Sequence, residues 1–339
     1  MSRHWVAEPV LSPMAAAGRS AVAGCLAGWL ILWLPALVLG ISLLLHTGLP
    51  DRQLVLTTAN YCRLLAALTA IYAIWAIAGF FRPDWRRQLH GHAPLAAAAF
   101  GLLALYDLHT LKFNSLPLPF FPSPAKILEA FTHDGKILTV STLYSLRLLF
   151  LGYMCGVLLG LPTGLLMGWY RQFRYWVNPL VRIIGPVPAT AWIPVTLAVF
   201  PTSFAGSVFL IALATWFPVT VMTWSGVASV NKSYFEIART LGADERYLMF
   251  KIALPAALPM VFIGLFMGMG TSFVTLVVAE MLGVKAGLGW YIEWAQGWGE
   301  YYKVYAALII SAVLFSSLIS LLFKFRDRLL VWQRGLVKW

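Results

Sequence analysis

Long apolar runs separated by short basic segments dominate the chain. Three runs occupy residues 20–45, 64–81 and the shorter 93–106, and five stronger ones occupy residues 143–169, 181–200, 204–227, 258–281 and 305–323. An α-helix needs about 20 apolar residues to cross the hydrocarbon core of a membrane. The pattern therefore predicts eight transmembrane helices with both termini on one side. The first run is too long for the core of a cleaved signal peptide and is expected to remain as an anchor.

The fourth run carries a glycine at every fourth position. These residues are Gly152, Gly156, Gly160, Gly164 and Gly168. A ridge without side chains lets a second helix approach backbone to backbone. Packing inside the chain is favoured over a contact between two copies, and Pro162 is expected to kink the helix. Before this run, residues 108–140 predict a loop with a proline-rich piece at 116–124 and a short amphipathic helix at 125–132.

The composition is typical of a protein whose solvent is lipid, and membrane topology explains the positive charge without a nucleic-acid partner. The chain has 339 residues, 60% hydrophobic and 11% charged, with a net charge of +12, whereas soluble domains carry about 25% charged residues. With the N-terminus in the cytoplasm, 17 of the 25 lysines and arginines lie on the cytoplasmic side. This asymmetry predicts a multi-pass membrane protein with both termini cytoplasmic, and the family resemblance described below implies that the membrane is the inner membrane of a bacterium.

The segment between the sixth and seventh runs, NKSYFEIARTLGADERYLMFKIALPAALP, is the most informative. Ser233 and Glu236 fit a capping box, so a helix is expected to start near Tyr234. Gly242 suits the end of that helix. Asp244 is expected to cap a second helix that ends near residue 253, before Pro255 and Pro259 mark the turn into the next span.

The first of these helices is amphipathic, because Tyr234, Ile237, Ala238 and Leu241 share one face. It has too little apolar area to fold alone and is expected to lie in a groove. Spacing alone leaves two interpretations equally open. The helix either docks on a partner protein or rests on the membrane surface.

The motif Glu236-Ile237-Ala238, Gly242 and Ile252-Ala253-Leu254-Pro255 resembles the signature loop of binding-protein-dependent ABC permeases. Ile237 stands where the family pattern has alanine, which is expected to alter groove fit and leave docking intact. Residues 121–330 resemble the nitrate, sulfonate, taurine and bicarbonate group of these permeases. The matching stretches occur in order: FPSPAKILEAF, PVPATAWIPVTLAVF, FLIALATWFPVTVMTWSGV and TLVVAEMLGVKAGLGWYI.

The resemblance implies an all-α membrane protein with the type I ABC importer permease fold, a six-helix core plus about two extra N-terminal helices. The implied domains are an extension at 1–88, a permease domain at 89–330 with a coupling loop at 231–256, and a cytoplasmic tail at 331–339. The residues implied to couple the chain to an ATPase are Tyr234, Glu236, Ile237, Ala238, Leu241, Gly242, Ile252, Leu254 and Pro255.

The resemblance also implies the partners: a second copy of the permease, two ABC ATPase subunits, and a periplasmic or lipid-anchored solute-binding protein. The sequence has no GxxxxGK[ST] phosphate loop, so ATP and Mg are expected on the ATPase subunits and no enzymatic activity on this chain. The implied solute is a small anion such as sulfonate, taurine, nitrate or bicarbonate. A thiamine precursor or an aromatic acid is the alternative, and a channel, a secondary transporter or a membrane-embedded enzyme is more remote.

Five residues are candidates for the translocation path or its gate: Glu280, Arg147, Trp216, Met222 and Thr223. An acid in a membrane segment is a functional hypothesis by default, but an ion pair between Glu280 and Arg147 is the favoured interpretation. For the aromatic and apolar candidates, packing is favoured over solute contact. His90 and His92 are too few ligands for a metal site, so none is expected.

Overall fold

The computed structural model describes the backbone of residues 13–333, in which every regular element is helical and no strand occurs. The tail beyond Gln333 lies outside the described residues, as do three of the counted basic residues, Arg3, Arg334 and Lys338. The α-helices are α1 Pro13–Gly48, α2 Ala59–Phe81, α3 Pro83–Asp107, α4 Pro124–His133, α5 Gly135–Trp169, α6 Arg171–Ile184, α7 Ile193–Val199, α8 Ser203–Ala228, α9 Lys232–Thr240, α10 Glu245–Tyr247, α11 Leu254–Gly283, α12 Leu288–Gly297 and α13 Tyr301–Leu329. The predicted all-α membrane fold is confirmed.

Seven stretches of the described chain are helical, long and apolar enough to cross a membrane, and they contain α1, α2, α3, α5, α8, α11 and α13. The fifth predicted span is wrong as a continuous helix. Residues 181–184 end α6, and a second helical stretch, Ala189–Val199, follows at an angle of 87°. Pro186 and Pro188 separate the two, and a proline has no N–H to continue the hydrogen-bond ladder.

Two boundaries of the predicted loop at 108–140 also change. The third span is longer than its apolar run, because α3 continues as a π-helix over Leu108–Lys112. The fourth starts earlier, at Gly135. The short amphipathic helix between them is confirmed as α4.

The chain divides into two compact units, one ending at Thr132 and one beginning at His133. In the first, buried polar contacts hold one end of α1 to α3 and its π-helical extension. His46 Nδ1 lies 2.7 Å from Asp107 Oδ2, and Lys112 Nζ donates to Asp51 Oδ1 at 2.5 Å. Glu129 of α4 accepts from the N–H of Leu56 at 2.7 Å. The predicted domain boundary at residue 88 stays a prediction.

In the second unit, the glycine ladder of α5 packs on α8. A Cβ added at Gly156 would lie 2.5 Å from Thr215 Cβ, and one added at Gly164 would lie 2.6 Å from Thr223 Cβ. Both distances are shorter than van der Waals contact, so only glycine fits. The prediction that the ladder packs inside one chain is confirmed.

The order of the ladder contacts fixes the direction of the two helices. Ascending glycines meet ascending residues of α8, namely Ile211, Thr215, Val219, Thr223 and Val227. Helices α5 and α8 are therefore parallel, and residues 170–202 must return from the end of α5 to the start of α8. Although it is bent, this broken span traverses the bundle, and counting it as one span gives the predicted eight in the described chain.

The remaining long helices complete an up-and-down arrangement. Gly226 of α8 meets Met260 while Gly268 of α11 meets Thr215, so α11 is antiparallel to α8. The ring of Phe273 stacks on that of Phe315 of α13, with centroids 4.6 Å apart. In the other ring contacts, earlier residues of α11 meet later residues of α13, so the two helices are antiparallel. Helix α9 and the ends of α5, α8 and α13 consequently share one end of the unit, here called the α9 end. The opposite end, with α12, is the α12 end.

The ladder generates a stability prediction. Gly156→Ala should lower the melting temperature of the purified chain in detergent, because overpacking of this kind costs about 1–3 kcal/mol. Gly270→Ala is the matched control, since Gly270 lies on α11 with open space around its Cα. The control should melt at or slightly above the wild-type temperature. Equal melting of the two variants would contradict the close approach of α5 and α8.

Candidate functional site

Helix α9 begins at an asparagine cap. The side-chain Oδ1 of Asn231 accepts from the N–H of Ser233 at 3.0 Å, and the helix starts at Lys232. The predicted capping box at Ser233 and Glu236 is therefore wrong. Asn231 has the extended backbone that a cap requires and stands two residues earlier, so its side chain reaches the free N–H first.

The end of α9 follows the predicted pattern. Gly242 has φ +85°, a left-handed conformation that glycine adopts without strain. Its N–H donates to the carbonyl of Arg239, and the N–H of Ala243 donates to the carbonyl of Ala238, both at 3.0 Å. Asp244 Oδ1 then accepts from the N–H of Tyr247 at 2.9 Å. The predicted roles of Gly242 as helix terminator and Asp244 as cap of the next helix are confirmed.

The next helix does not stop where the sequence predicts. From α10 it passes through a π-helix at Leu248–Ala253 directly into α11, and the helical stretch Glu245–Met281 has 37 residues. The predicted turn at Pro255 and Pro259 is wrong. A π-helix has wider turns than an α-helix, and this lets the chain pass Pro255, which lacks an N–H.

One side of α9 is anchored to the bundle. The ring of Phe235 packs edge-on against Trp169 at the end of α5, with ring centroids 5.5 Å apart. Ala238 is buried, and Phe235 also packs against a core cluster that contains Leu165 and Val227. Leu254 at the start of α11, one of the predicted coupling residues, packs on the same cluster.

A second side of α9 is exposed and apolar. Tyr234 is 56% exposed, Ile237 59% and Leu241 83%, and Tyr247 of α10 lies beside them at 53%. These four residues form what we call the coupling face. They line an open surface cleft together with Ala238, Gly242, Ala243, Asp244 and Ile252. Of the predicted amphipathic face, Ala238 is thus buried and the other three residues are free to meet another surface.

Basic residues gather at the α9 end of the second unit. They include Arg171, Arg174, Lys232, Arg239, Arg246, Lys251, Lys324, Arg326 and Arg328, while the α12 end holds Lys136, Arg147, Lys285 and Lys303. Arg239 pairs with Glu245 at 3.0 Å, but both side chains are more than half exposed, and such pairs contribute little to stability. The relevant feature is the excess of positive charge at the α9 end, and not any individual ion pair.

Glu280 lies fully buried near the α12 end. Its Oε2 accepts from Ser145 Oγ and from the N–H of Gly289, each at 2.9 Å. Ser145 Oγ in turn accepts from the N–H of Leu288 at 2.8 Å. The carboxylate thus joins α5, α11 and the start of α12.

The favoured ion pair between Glu280 and Arg147 is wrong. The Arg147 guanidinium lies over the ring of Phe204, 5.3 Å from its centroid, and the side chain is exposed. Ser145 and Arg147 are two positions apart on α5, so their side chains point about 200° apart around the helix axis. The rotation that presents Ser145 to Glu280 therefore turns Arg147 away.

The other path candidates lie in helix contacts. Thr223 is buried against Gly164 of α5, and Trp216 Nε1 lies 3.4 Å from Thr163 Oγ1 on the same helix. Met222 faces α11, where a Cβ added at Gly264 would lie 2.9 Å from the Cβ of Met222. These positions hold α5, α8 and α11 together, and solute contact by them stays a prediction.

A cluster of three polar residues at the α12 end was not predicted from the sequence. Asp134 Oδ2 accepts from the Tyr291 hydroxyl at 2.7 Å and pairs with Lys303 Nζ at 3.0 Å. Burial, and then the bond to Asp134, hold the pKa of Tyr291 above its ordinary value. The three residues are more than 150 positions apart at the extremes, so no local pattern signals that they meet.

The surroundings of Glu280 separate a structural role from a charge-dependent one. Glu280→Ala removes the acceptor for Gly289 and Ser145 and should destabilise the chain by about 1–3 kcal/mol. Glu280→Gln keeps an acceptor and places its amide where Oε1 has no hydrogen-bond partner in the described residues. It should retain the wild-type melting temperature and solute uptake. A Glu280→Gln variant that melts normally but transports nothing would instead assign the charge to the path.

Comparison with known proteins supplies the family. Residues 156–331 match the family model described as binding-protein-dependent transport system inner membrane component. A putative ABC transporter permease of Methanocaldococcus jannaschii is 32% identical over 174 residues, 50% of this chain and 63% of that protein. The chain thus spans less than two thirds of that relative's length.

Two relatives carry a solute in their names. A bicarbonate transport system permease of Synechococcus elongatus is 28% identical, over 53% of this chain and 68% of that protein. A taurine transport system permease of Escherichia coli is 30% identical, over 54% of this chain and 69% of that protein. The family match includes α9, its coupling face and the buried Glu280, and it covers just over half of the sequence. The chain belongs to the ABC importer permeases, the inner membrane components of binding-protein-dependent transport systems.

Proposed function

We propose that this chain is the transmembrane permease subunit of an ATP-driven importer, moving a small anion into the cytoplasm by alternating access. A separate ATPase supplies the energy, and the chain itself catalyses nothing. The observation that carries the proposal is the exposed coupling face of α9 at the basic end of a membrane bundle. Apolar helix faces of this kind bind in grooves of partner proteins.

The connections of α9 suit it to transmit movement. Phe235 and Ala238 fix it to the end of α5, and the hydrogen-bonded turn at Gly242 joins it to α10. From α10 the helix continues without interruption to Met281. At that far end Glu280 is bonded to α5 and α12. A displacement of α9 by a closing ATPase would therefore reach the α12 end through one rigid helix.

The charge distribution gives the proposed orientation. Because lysine and arginine concentrate on cytoplasmic segments, we place the α9 end, both chain termini and the ATPase subunits in the cytoplasm of a bacterial cell. A solute-binding protein, soluble or lipid-anchored, would then dock at the α12 end. The working assembly would contain two copies of this chain and two ATPase subunits, with ATP and Mg bound by the latter.

The anion is proposed from similarity and from charge. The names of the bicarbonate and taurine permeases refer to small anionic or zwitterionic solutes. The full sequence has an excess of basic residues, with a net charge of +12. A thiamine precursor or an aromatic acid is the alternative, and neither is favoured by a specific contact in the structure.

A charge on the coupling face should uncouple the assembly. Ile237→Asp puts a carboxylate on an apolar surface meant for a groove, so solute-stimulated ATPase activity and uptake in proteoliposomes should fall at least about tenfold, a loss of about 1.4 kcal/mol or more. Lys232→Ala is the matched control, because it also lowers the charge by one but lies on another side of α9. Both variants should melt like the wild type. Ile237→Asp with control levels of uptake would refute the proposal and favour a channel, a secondary transporter or a helix that rests on the membrane.

Substitutions at Gly242 should act through the backbone conformation of the turn and not through a steric clash. Nothing lies within 4 Å of a Cβ added there, yet φ is +85°. Gly242→Val should therefore strain the turn by about 1–2 kcal/mol and reduce ATPase stimulation. Gly242→Asn should lose much less, because asparagine tolerates this conformation. Equal losses in the two variants would show that backbone conformation is not the cause.

A further inference from the structure

The break in the bent span lies at mid-depth of the bundle. Gly185 packs against the ring of Phe217 so closely that a Cβ would overlap it, and Phe217 is near the middle of α8. Beyond the break, Trp192 and Ile193 pack with Leu210 of α8. The chain between these contacts is therefore held within the depth of the membrane, at neither surface.

Unwound backbone at that depth needs a polar or protein environment. Pro186 and Pro188 have no N–H, and the N–H groups of Gly185 and Val187 donate to the carbonyls of Val181 and Ile184. Helical hydrogen bonding is interrupted between Ile184 and Ala189, so the carbonyls of the break lack helical partners. Pro186, Val187 and Pro188 are nevertheless exposed, Val187 by 39%. Irregular backbone at membrane depth is tolerated only where it is buried in protein or lines water. Lipid is thereby excluded as the neighbour of this face.

An arginine one turn before the break gives an independent indication. Arg182 is exposed near the end of α6 and forms no ion pair or side-chain hydrogen bond with any residue in the described part of the chain. A charged side chain at the centre of a helix in lipid costs about 2.5–3.5 kcal/mol or more. Counting charges along the sequence assigns Arg182 to the cytoplasm, whereas the structure places it just below Gly185 and the middle of the bundle.

We infer that residues 182–191 form a wall of the water-filled translocation path, with Arg182 as a contact for the anionic solute. This inference deepens the proposed function and rests on it for the direction of transport. A second copy could cover the break instead, and the accessibility experiment below distinguishes that arrangement from a water-filled path. Water and an anion satisfy both the open backbone and the guanidinium.

Cysteine accessibility tests the wall. Val187→Cys is compared with Leu158→Cys in a chain whose native cysteines are replaced by alanine, using a membrane-impermeant thiol reagent on proteoliposomes. Leu158 is the matched control. It is 70% exposed and lies at the height of Phe217, between the contacts of Gly156 with Thr215 and Gly160 with Val219. Because a thiol reacts as its thiolate, which needs water, Val187→Cys should react at least about tenfold faster than Leu158→Cys.

The charge of the reagent tests Arg182. Two methanethiosulfonates of similar size, one anionic and one cationic, are applied to Val187→Cys, and each rate is divided by the rate with a free thiol in solution. Arg182→Gln should reduce the anionic-to-cationic ratio by about threefold to tenfold, as expected for removal of one focused charge. Arg171→Gln removes the same charge from the exposed start of α6 and should leave the ratio unchanged.

Each outcome decides the inference. A Val187→Cys chain no more reactive than Leu158→Cys overturns the wall, whether lipid or a second copy covers it, and an unchanged ratio in Arg182→Gln overturns the anion contact. Melting in detergent identifies folded variants, and Thr190→Cys replaces Val187→Cys if the latter does not fold. The assay needs no ATPase, so it can fail while the Ile237→Asp experiment succeeds. That result would reject the wall and leave the proposed importer standing.

Discussion

The backbone-to-backbone contact of α5 with α8 determines the layout of the permease unit. Five glycines bring the two helices together, and because they run parallel, the intervening chain has to return through the bundle. That return is the bent span with its break at Gly185. Gly185 itself lacks room for a side chain because of Phe217 on α8. The close approach of two helices thus also fixes where a third is interrupted.

A second consequence concerns the two ends of the unit. The end of α5 holds α9 through Trp169 and Phe235. A point about seven turns earlier holds Glu280 through Ser145. Helix α11 connects the same two points from the other side. The α9 end and the α12 end are therefore joined by two stiff helices, one of them stiffened by α8. A displacement of α9 would therefore pass along both helices to the α12 end, as the proposed coupling requires.

Local periodicity made much of this predictable, whereas helix phase and proline breaks did not. The glycine period, the face of Tyr234 and Ile237, and the αL glycine at 242 are features of a few consecutive residues. The predicted ion pair of Glu280 with Arg147 was wrong because the choice between Ser145 and Arg147 depends on the rotation of α5 about its axis. An apolar run does not indicate that rotation. The span at 181–200 failed because an interrupted segment can be as apolar as a continuous helix. Its prolines were the available signal.

The first unit shows the same dependence on contacts that sequence cannot assign. Asp107 and Lys112 are polar residues at the end of an apolar run, where they look like the start of a loop. In the structure both are buried, one beside His46 and the other beside Asp51. Because buried polar groups need partners, these contacts bind the third helix and its π-helical extension to the end of the first helix and the loop after it. They give the N-terminal unit a polar anchor of its own, formed by residues that are distant from one another in the sequence.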